Sequence, residues 1–309
     1  MDKVLIIDGM NAIHRANVPF DKGKQHFLCA PEEIGEQCVE HLKSNPHCEC
    51  GASWDENAQT CYGQLYSIVF NFFRNLRPMI EMFEPAKCFF VLEGHSKFRY
   101  NLFPDYKGNR IIKTASKTPE ENEKFISQRD IIVALLPYLP LTIVKAFDYE
   151  GDDIIATLCT CLVDEDVVVL SGDNDFIQLL QIYSNVHIYN PIKKAYLEAP
   201  PYPYVAYKCL IGDKSDNIPR LMGEKTSEKL LADPIKFSDW MAIEENRANF
   251  SINRQLIEFQ IVAPDDIITV EGSGDWESLK AEFSKMEFNS ITNDKSWEKY
   301  VSTFNCITM

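Results

Sequence analysis

Short, unbroken apolar runs alternate with stretches of helical periodicity along the first 200 residues. Lys3 to Ile7 (KVLII) is an apolar run after its lysine and stops abruptly at Asp8-Gly9, the pattern of a strand buried on both faces and followed by a loop. Cys88 to Leu92 (CFFVL), Leu141 to Val144 and Asp166 to Leu170 (DVVVL) repeat it. Between them the periodicity predicts an amphipathic helix from Tyr62 to Phe83, with Phe70, Phe72 and Phe73 packing into the core, and a second from Asp152 to Val163. Strands alternating with helices imply an α/β fold with a doubly wound, mainly parallel sheet. Ligands of such sheets bind beyond the carboxyl ends of the strands.

After residue 200 the character changes. Pro200-Pro201-Tyr202-Pro203 opens a stretch that reads as all helical, with expected helices at Gly223–Leu231, Asn253–Val262 and Trp276–Phe288. Residues 1–200 are therefore expected to form the sheet domain and 201–309 a helical subdomain. The longest apolar run, Ile131 to Val144, has 14 residues and contains Pro137 and Pro140, too short and too interrupted to span a bilayer. No membrane span is expected, and MDKVLIIDGMN lacks the features of an export signal. A cytoplasmic location with mostly reduced thiols follows for the ten cysteines.

The rule about carboxyl ends makes a particular prediction here. The first strand ends at Asp8, the second is followed by Glu93, the third leads into Glu150, Asp152 and Asp153, and the fourth runs into Asp173 and Asp175. Each acid has an ordinary explanation: a turn at Asp8-Gly9, a favourable helix dipole for Asp152 and Asp153, a cap at Asp173-Asn174-Asp175. Taken singly those explanations suffice. They do not explain why four strands deliver the same chemistry to one edge. Asp213 and Asp216, three apart in KCLIGDKSDN, extend the set to nine.

Charge sharpens this reading. The 309-residue chain carries 31 Lys+Arg against 46 Asp+Glu, a net of -15, which by itself argues against a nucleic-acid partner. Yet Lys97, Arg99, Lys107, Arg110, Lys113 and Lys117 face only Asp105 between residues 97 and 117, a local net of +5 that could track a phosphate backbone or form a solvated helix face. Setting aside the nine edge acids leaves a net of -6. Crowding so many carboxylates costs free energy unless hard cations neutralise them, and an oxygen-only set suits Mg²⁺ or Mn²⁺ rather than zinc. Two such ions about 3.5–4 Å apart are the usual arrangement for phosphodiester chemistry. Such a site needs no histidine base, so His14, His95 and His187 are assigned no role.

IIDGMNAIHR, FVLEG, FRYNLFPDYKGNR, YEGDDIIATL, SGDNDFIQLL and IGDKSDNIP occur in order. Together they resemble the flap-endonuclease family of 5′ nucleases, which includes the 5′-nuclease domains of bacterial DNA polymerase I and phage 5′-3′ exonucleases. VHIYNPIKKAYLEAP and NRQLIEFQIVAPDDI are similar to the RNase H of T-even phages, a member of the same family. The resemblance runs from Met1 to about Asp266. It implies a PIN-like fold and a Mg²⁺-dependent structure-specific nuclease that gives 5′-phosphate and 3′-hydroxyl products. The implied substrates are branched, nicked or 5′-flap DNA and RNA-primed duplex, in replication, with single-strand-binding protein as a candidate partner. By the same resemblance Asp8, Glu93, Glu150, Asp152 and Asp153 surround a first metal, and Asp173, Asp175, Asp213 and Asp216 a second. Lys107 and Arg110 stand as catalytic cations at the base of an arch spanning about 98–120. Arg99, Lys113, Lys117, Gly223, Lys225 and Thr226 are expected to contact nucleic acid. The protein would be a monomer, in the host cytoplasm if phage-encoded.

Three departures from the family pattern stand out. Glu93 replaces the usual Asp, and its extra methylene shifts the carboxylate by about one bond length. IPRLMGEKTSEKLL shortens the family's helix-hairpin-helix and keeps only Gly223 of its glycines, which puts a K⁺ ion and the duplex grip there in question. A Cys-rich insertion separates Asn17 from Thr60, with Cys29, Cys38, His41, His47, Cys48 and Cys50 inside it and Cys61 just beyond. Structural Zn²⁺ on Cys48, Cys50 and Cys61 is one reading; incidental thiols are the other, favoured by the short Cys-x-Cys spacing. Two rival functions remain: a haloacid-dehalogenase-type phosphatase, for which GDKSD is suggestive but Met10 stands where a second Asp is required, and a non-catalytic junction-binding protein.

Overall fold

The computed structural model describes residues 2–17, 53–55, 60–62, 66–110 and 118–308. Strand β1 (Lys3–Asp8) lies at the centre of a seven-stranded sheet, because its apolar residues have elements to bury against on both faces. Val4 and Ile6 join one core with Val91, Val144, Ile154, Val167 and Phe176; Leu5 and Ile7 join the opposite one with Phe72, Phe73, Phe90 and Ile132. Successive side chains of a strand point to opposite faces, so one continuous apolar run feeds both layers.

The hairpin Ser53–Asp55 (β2) and Thr60–Tyr62 (β3) is antiparallel and separate from this sheet. The main strands are β4 (Lys87–Leu92), β5 (Thr142–Lys145), β6 (Asp166–Leu170), β7 (Val186–Asn190), β8 (Ala195–Tyr196) and β9 (Ile268–Glu271). Their order is β8-β7-β6-β1-β4-β5-β9, parallel except for β8 and β9 at the two edges. The expected α/β, mainly parallel architecture is present, and the four strands read from the sequence are four consecutive interior members, β6-β1-β4-β5.

The helix expected from Tyr62 begins at Ser67 and runs to Phe83, with Phe70, Phe72 and Phe73 buried as anticipated. Its first turn is capped from outside: Gln128 Oε1 accepts from the backbone N–H of Ile68 at 2.8 Å. Gln128 lies on the helix Pro119–Leu135, which starts with a capping box of Thr118 and Glu121 and a proline at its first position.

The C-terminal part differs from the expectation of one helical subdomain. Residues 204–257 do build a separate helical core, around Cys209, Leu210, Ile218, Phe250, Leu256 and Ile257. The chain then returns to the sheet. β9 pairs antiparallel with β5, and Leu279, Phe283, Trp297, Tyr300 and Phe304 bury into the core beneath the Ser67–Phe83 helix. The helix expected over Asn253–Val262 is instead Glu244–Ile257, and residues beyond it extend so that Val262 enters the sheet core. β9 (ITVE) alternates apolar and polar residues and was missed in the sequence; all four of its side chains are exposed, so backbone pairing with β5 holds it.

Among the described residues Cys88, Cys159, Cys161, Cys209 and Cys306 are free thiols, and no helix is long and apolar enough to cross a membrane.

Candidate active site

The carboxyl ends of β1, β4, β5 and β6 meet at one edge, and the acids they deliver are held there by local hydrogen bonds. Asp8 caps the helix Gly9–Ala16: its Oδ1 accepts from the Asn11 N–H at 3.0 Å while its Oδ2 accepts from the Ser171 hydroxyl at 2.6 Å. Asp173 Oδ1 accepts from the Asp175 N–H at 2.8 Å. Asp213 Oδ1 accepts from the backbone N–H and hydroxyl of Ser215 at 2.7 and 2.6 Å. The capping explanations thus hold for Asp8 and Asp173, and the same bonds fix the position of each carboxylate at the edge.

Asp213 follows Gly212, whose φ of +67° and close approach to the Ile218 and Pro219 carbonyls, 2.6 Å from where a Cβ would sit, require glycine. Backbone pairing of Asp213 with Ile218 then turns the loop back and places Asp216 beside the FRYNLFPDYKGNR segment.

The acids perturb one another. Burial, with added repulsion from Asp173 and Glu93, pushes Asp8 up to about 6 against the pull of Ser171 and Asn11. Burial raises Asp152 well above the usual carboxylate range, reinforced by Asp8 and Asp173. Burial likewise raises Glu93, and raises Asp175 to about 6 despite Lys208. Burial also opposes ionisation of Asp213, but hydrogen bonds from Lys208 and Ser215 outweigh it and hold that group down at about 2.

Four cations lie among these carboxylates. Lys107 sits in the left-handed region at φ 57°, with its backbone N–H on the Asp216 carbonyl, and directs Nζ to Glu150 Oε1 at 2.5 Å. Arg110 reaches Asp216 at 2.7 Å. Lys208, in the last turn of the helix Tyr204–Ile211, bridges Asp175 at 2.9 Å and Asp213 at 2.7 Å. The fourth is Arg99, which corrects an expectation. Placed by sequence on a nucleic-acid face, it is only 2% exposed and grips Asp153 through two bonds of 2.6 and 2.8 Å, with further donations to the Leu256 and Glu258 carbonyls. Asp153 is corrected with it. Fully buried, it spends its oxygens on Arg99 and on the N–H groups of Glu150 and Gln260, which sets it apart from the other acids.

Lys208, Tyr106 and Ser171 went unnoticed in the sequence. Tyr106 donates to Glu150 at 3.1 Å and lies 3.4 Å from Asp216 Oδ2, joining the two groups of acids. Lys208 could have been found from its position five residues before Asp213 in KCLIGDKSD. Nothing marks Ser171 locally, since its partner is 163 residues away. Gly223 precedes the helix Glu224–Leu231, with Lys225 and Thr226 exposed in its first turn. Lys113, Lys117, the middle of the arch and nearly all of the Cys-rich insertion, with its zinc candidates, lie outside the described residues.

Hard divalent cations fit this donor set by its chemistry. All donors are oxygen, and no hydrogen bond or salt bridge reaches the Asp152 carboxylate among the described residues although Asp8 and Asp173 repel it. Among the described residues no three His, Cys, Asp or Glu side chains close on one point as ligands of a single ion. Internal lysine and arginine contacts hold several of the carboxylates instead.

Residues 51–202 match the family model described as the 5′-3′ exonuclease N-terminal, resolvase-like domain. DNA polymerase I of Streptococcus pneumoniae is 34% identical over 179 residues, covering 53% of this chain and 20% of the polymerase. DNA polymerase I of Mycobacterium tuberculosis is 32% identical over 196 residues, covering 58% and 21%. The chain thus spans about a fifth of the length of these relatives. In fold it is similar to a bacteriophage T5 flap endonuclease solved with DNA and metal ions (TM-score 0.58, 16% identity, 98% of this chain and 97% of that one). Flap endonuclease-1 from Methanococcus jannaschii is similar too (TM-score 0.56, 14% identity, 99% and 92%). The domain match takes in just under half of the chain and falls on the segment that carries β4, β5 and β6 and their acids, so over that segment the chain is similar to 5′-3′ exonuclease N-terminal domains.

Proposed function

We propose that the chain is a metal-dependent, structure-specific 5′ nuclease that cuts branched, nicked or 5′-flap DNA, and the RNA of RNA-DNA duplexes during primer removal. Asp8, Glu93, Glu150 and Asp152 would hold one divalent cation, and Asp173, Asp175, Asp213 and Asp216 a second, Mg²⁺ or Mn²⁺ in each case. Bound there, such ions lower the pKa of water and neutralise charge developing on phosphoryl oxygens. The observation that carries the reading is the meeting of acids from four parallel strand ends at one edge, with Lys107 and Arg110 set among them.

Lys107 and Arg110 would bind the scissile phosphate, exchanging their present carboxylate partners for its oxygens. Glu150 and Tyr106 orient Lys107 and shield it from solvent on one side. Lys208 keeps Asp175 and Asp213 together and offsets their repulsion. Hydrolysis adds the hydroxyl of water to phosphorus, breaks the P–O3′ bond and gives O3′ the proton, leaving 5′-phosphate and 3′-hydroxyl ends. Lys225 and Thr226, exposed at the start of their helix, would contact duplex phosphate.

End-labelled product mapping on a 5′ flap, a nick and an RNA-primed duplex, with and without Mg²⁺, tests this. Mg²⁺-dependent cuts near the 5′ end are expected. Phosphate release from small phosphoesters without strand cutting would replace the reading by a phosphatase, and binding without cutting would replace it by a junction-binding protein.

A further inference from the structure

Beside the acids lies an aromatic strip that the chemistry above does not use. Phe147 is 67% exposed and Phe98 is 40% exposed, unusual for phenylalanines in a chain that has cores to place them in. They lie on the two segments that follow Glu93 and precede Glu150, and the backbone of those segments is paired. Segment 94–97 is zipped to 147–149 through Gly94 N–H to the Tyr149 carbonyl at 3.0 Å, His95 N–H to Phe147 at 2.8 Å and Lys97 N–H to Asp148 at 3.2 Å. Gly94 permits that approach, since a Cβ there would sit 2.1 Å from the Ala146 carbonyl.

The strip continues into the acids. His95, itself exposed, stacks on Tyr100 with ring centres 4.2 Å apart and planes at 12°. Tyr100 meets Tyr106 edge-on at 5.5 Å, and Tyr106 donates to Glu150. Cations flank it. Lys145 Nζ lies 5.3 Å over the Phe147 ring, and Lys97 is exposed. Asp148 is exposed in the same strip and Glu93 at its edge, so the two lysines balance them.

Exposed rings interleaved with lysines, rigidly held and continuous with a phosphodiester-cutting centre, are the features of a surface on which unpaired bases stack while cations follow the backbone. We propose that Phe147, with His95 and Phe98, is a stacking platform for single-stranded nucleic acid entering the acid cluster, and that Lys145 and Lys97 pair with its phosphates. Stacking tolerates any base, so the platform selects single strand over duplex without reading sequence. This role rests on the nuclease reading for its purpose, but binding can be measured without cleavage.

The test is a fluorescence-anisotropy titration of a labelled single-stranded oligonucleotide, in EDTA to prevent cutting. Phe147→Ala should weaken binding by about fivefold or more, the loss of one stacked base, with the melting temperature unchanged because the ring is exposed. Phe147→Tyr should bind as the original chain does. A Phe147→Trp variant gives a direct reading: its fluorescence should be quenched by the oligonucleotide and far less by an abasic strand of equal length. Unaltered binding by Phe147→Ala, or equal quenching by the abasic strand, would overturn the platform. Absence of cutting on every substrate while these results hold would instead overturn the nuclease reading and leave the platform standing.

Discussion

Arg99→Ala separates a structural role from a nucleic-acid contact. The guanidinium is buried together with a carboxylate that has no exposure at all, joined by bonds of 2.6 and 2.8 Å. Removing one member of a buried pair leaves the other charged and uncompensated, at a cost of about 3–5 kcal/mol. The N–H groups of Glu150 and Gln260 still serve Asp153 and reduce that figure. Loss of the donations to the Leu256 and Glu258 carbonyls, which tie the helical core to the segment Lys97–Leu102, adds to it. About 3–5 kcal/mol therefore stands as the expectation. A surface arginine contacting phosphate would cost within about 0.5 kcal/mol. Urea unfolding followed by circular dichroism measures the difference. The double variant Arg99→Met, Asp153→Leu should recover most of the loss, because well-packed apolar residues replace a buried ion pair at little cost. A fall below about 1 kcal/mol in Arg99→Ala would refute the buried-pair account.

Asp173→Asn and Asp175→Asn should each nearly abolish cutting while flap binding stays largely intact; full activity in either variant would remove that acid from the mechanism. Divalent metal should raise the melting temperature by an amount equivalent to about 2.7 kcal/mol at a hundredfold excess over Kd, and by more at pH 7.5 than at pH 5. The sign follows from Asp8 and Asp175: both titrate near 6 in the fold and near 3.8 outside it, so their contribution to metal-free stability falls as pH rises from about 4 to about 6. Asp213, held at about 2, contributes in the opposite sense, lost only as pH falls toward 2. Equal calorimetric shifts at the two pH values would contradict this. Gly212→Ala should destabilise by about 1–3 kcal/mol, from its φ of +67° and its clash with the Ile218 carbonyl; an unchanged urea midpoint would show that the loop accommodates a side chain.

The linear order of residues determined the sheet and its chemistry. VLII, CFFVL and VVVL are apolar without interruption because each is covered on both faces, and the acids that follow them are local features of the same stretches of chain. Tertiary structure decided how those acids divide. Asp152 and Asp153 are neighbours of one type, yet among the described residues one has no hydrogen bond or salt bridge on its carboxylate while the other is neutralised by an arginine 54 residues away. The basic strip was divided in the same way, with Lys107 turned to Glu150 and Arg99 drawn into the interior. β9 and the C-terminal helices were likewise decided by packing, through backbone pairing of an exposed edge strand and burial of Phe283, Trp297 and Tyr300 under a distant helix. Periodicity reports which face of an element is apolar; it carries no information about which distant partner will meet that face or claim a given charge, and that choice depends on desolvation and geometry that exist only once the chain has folded.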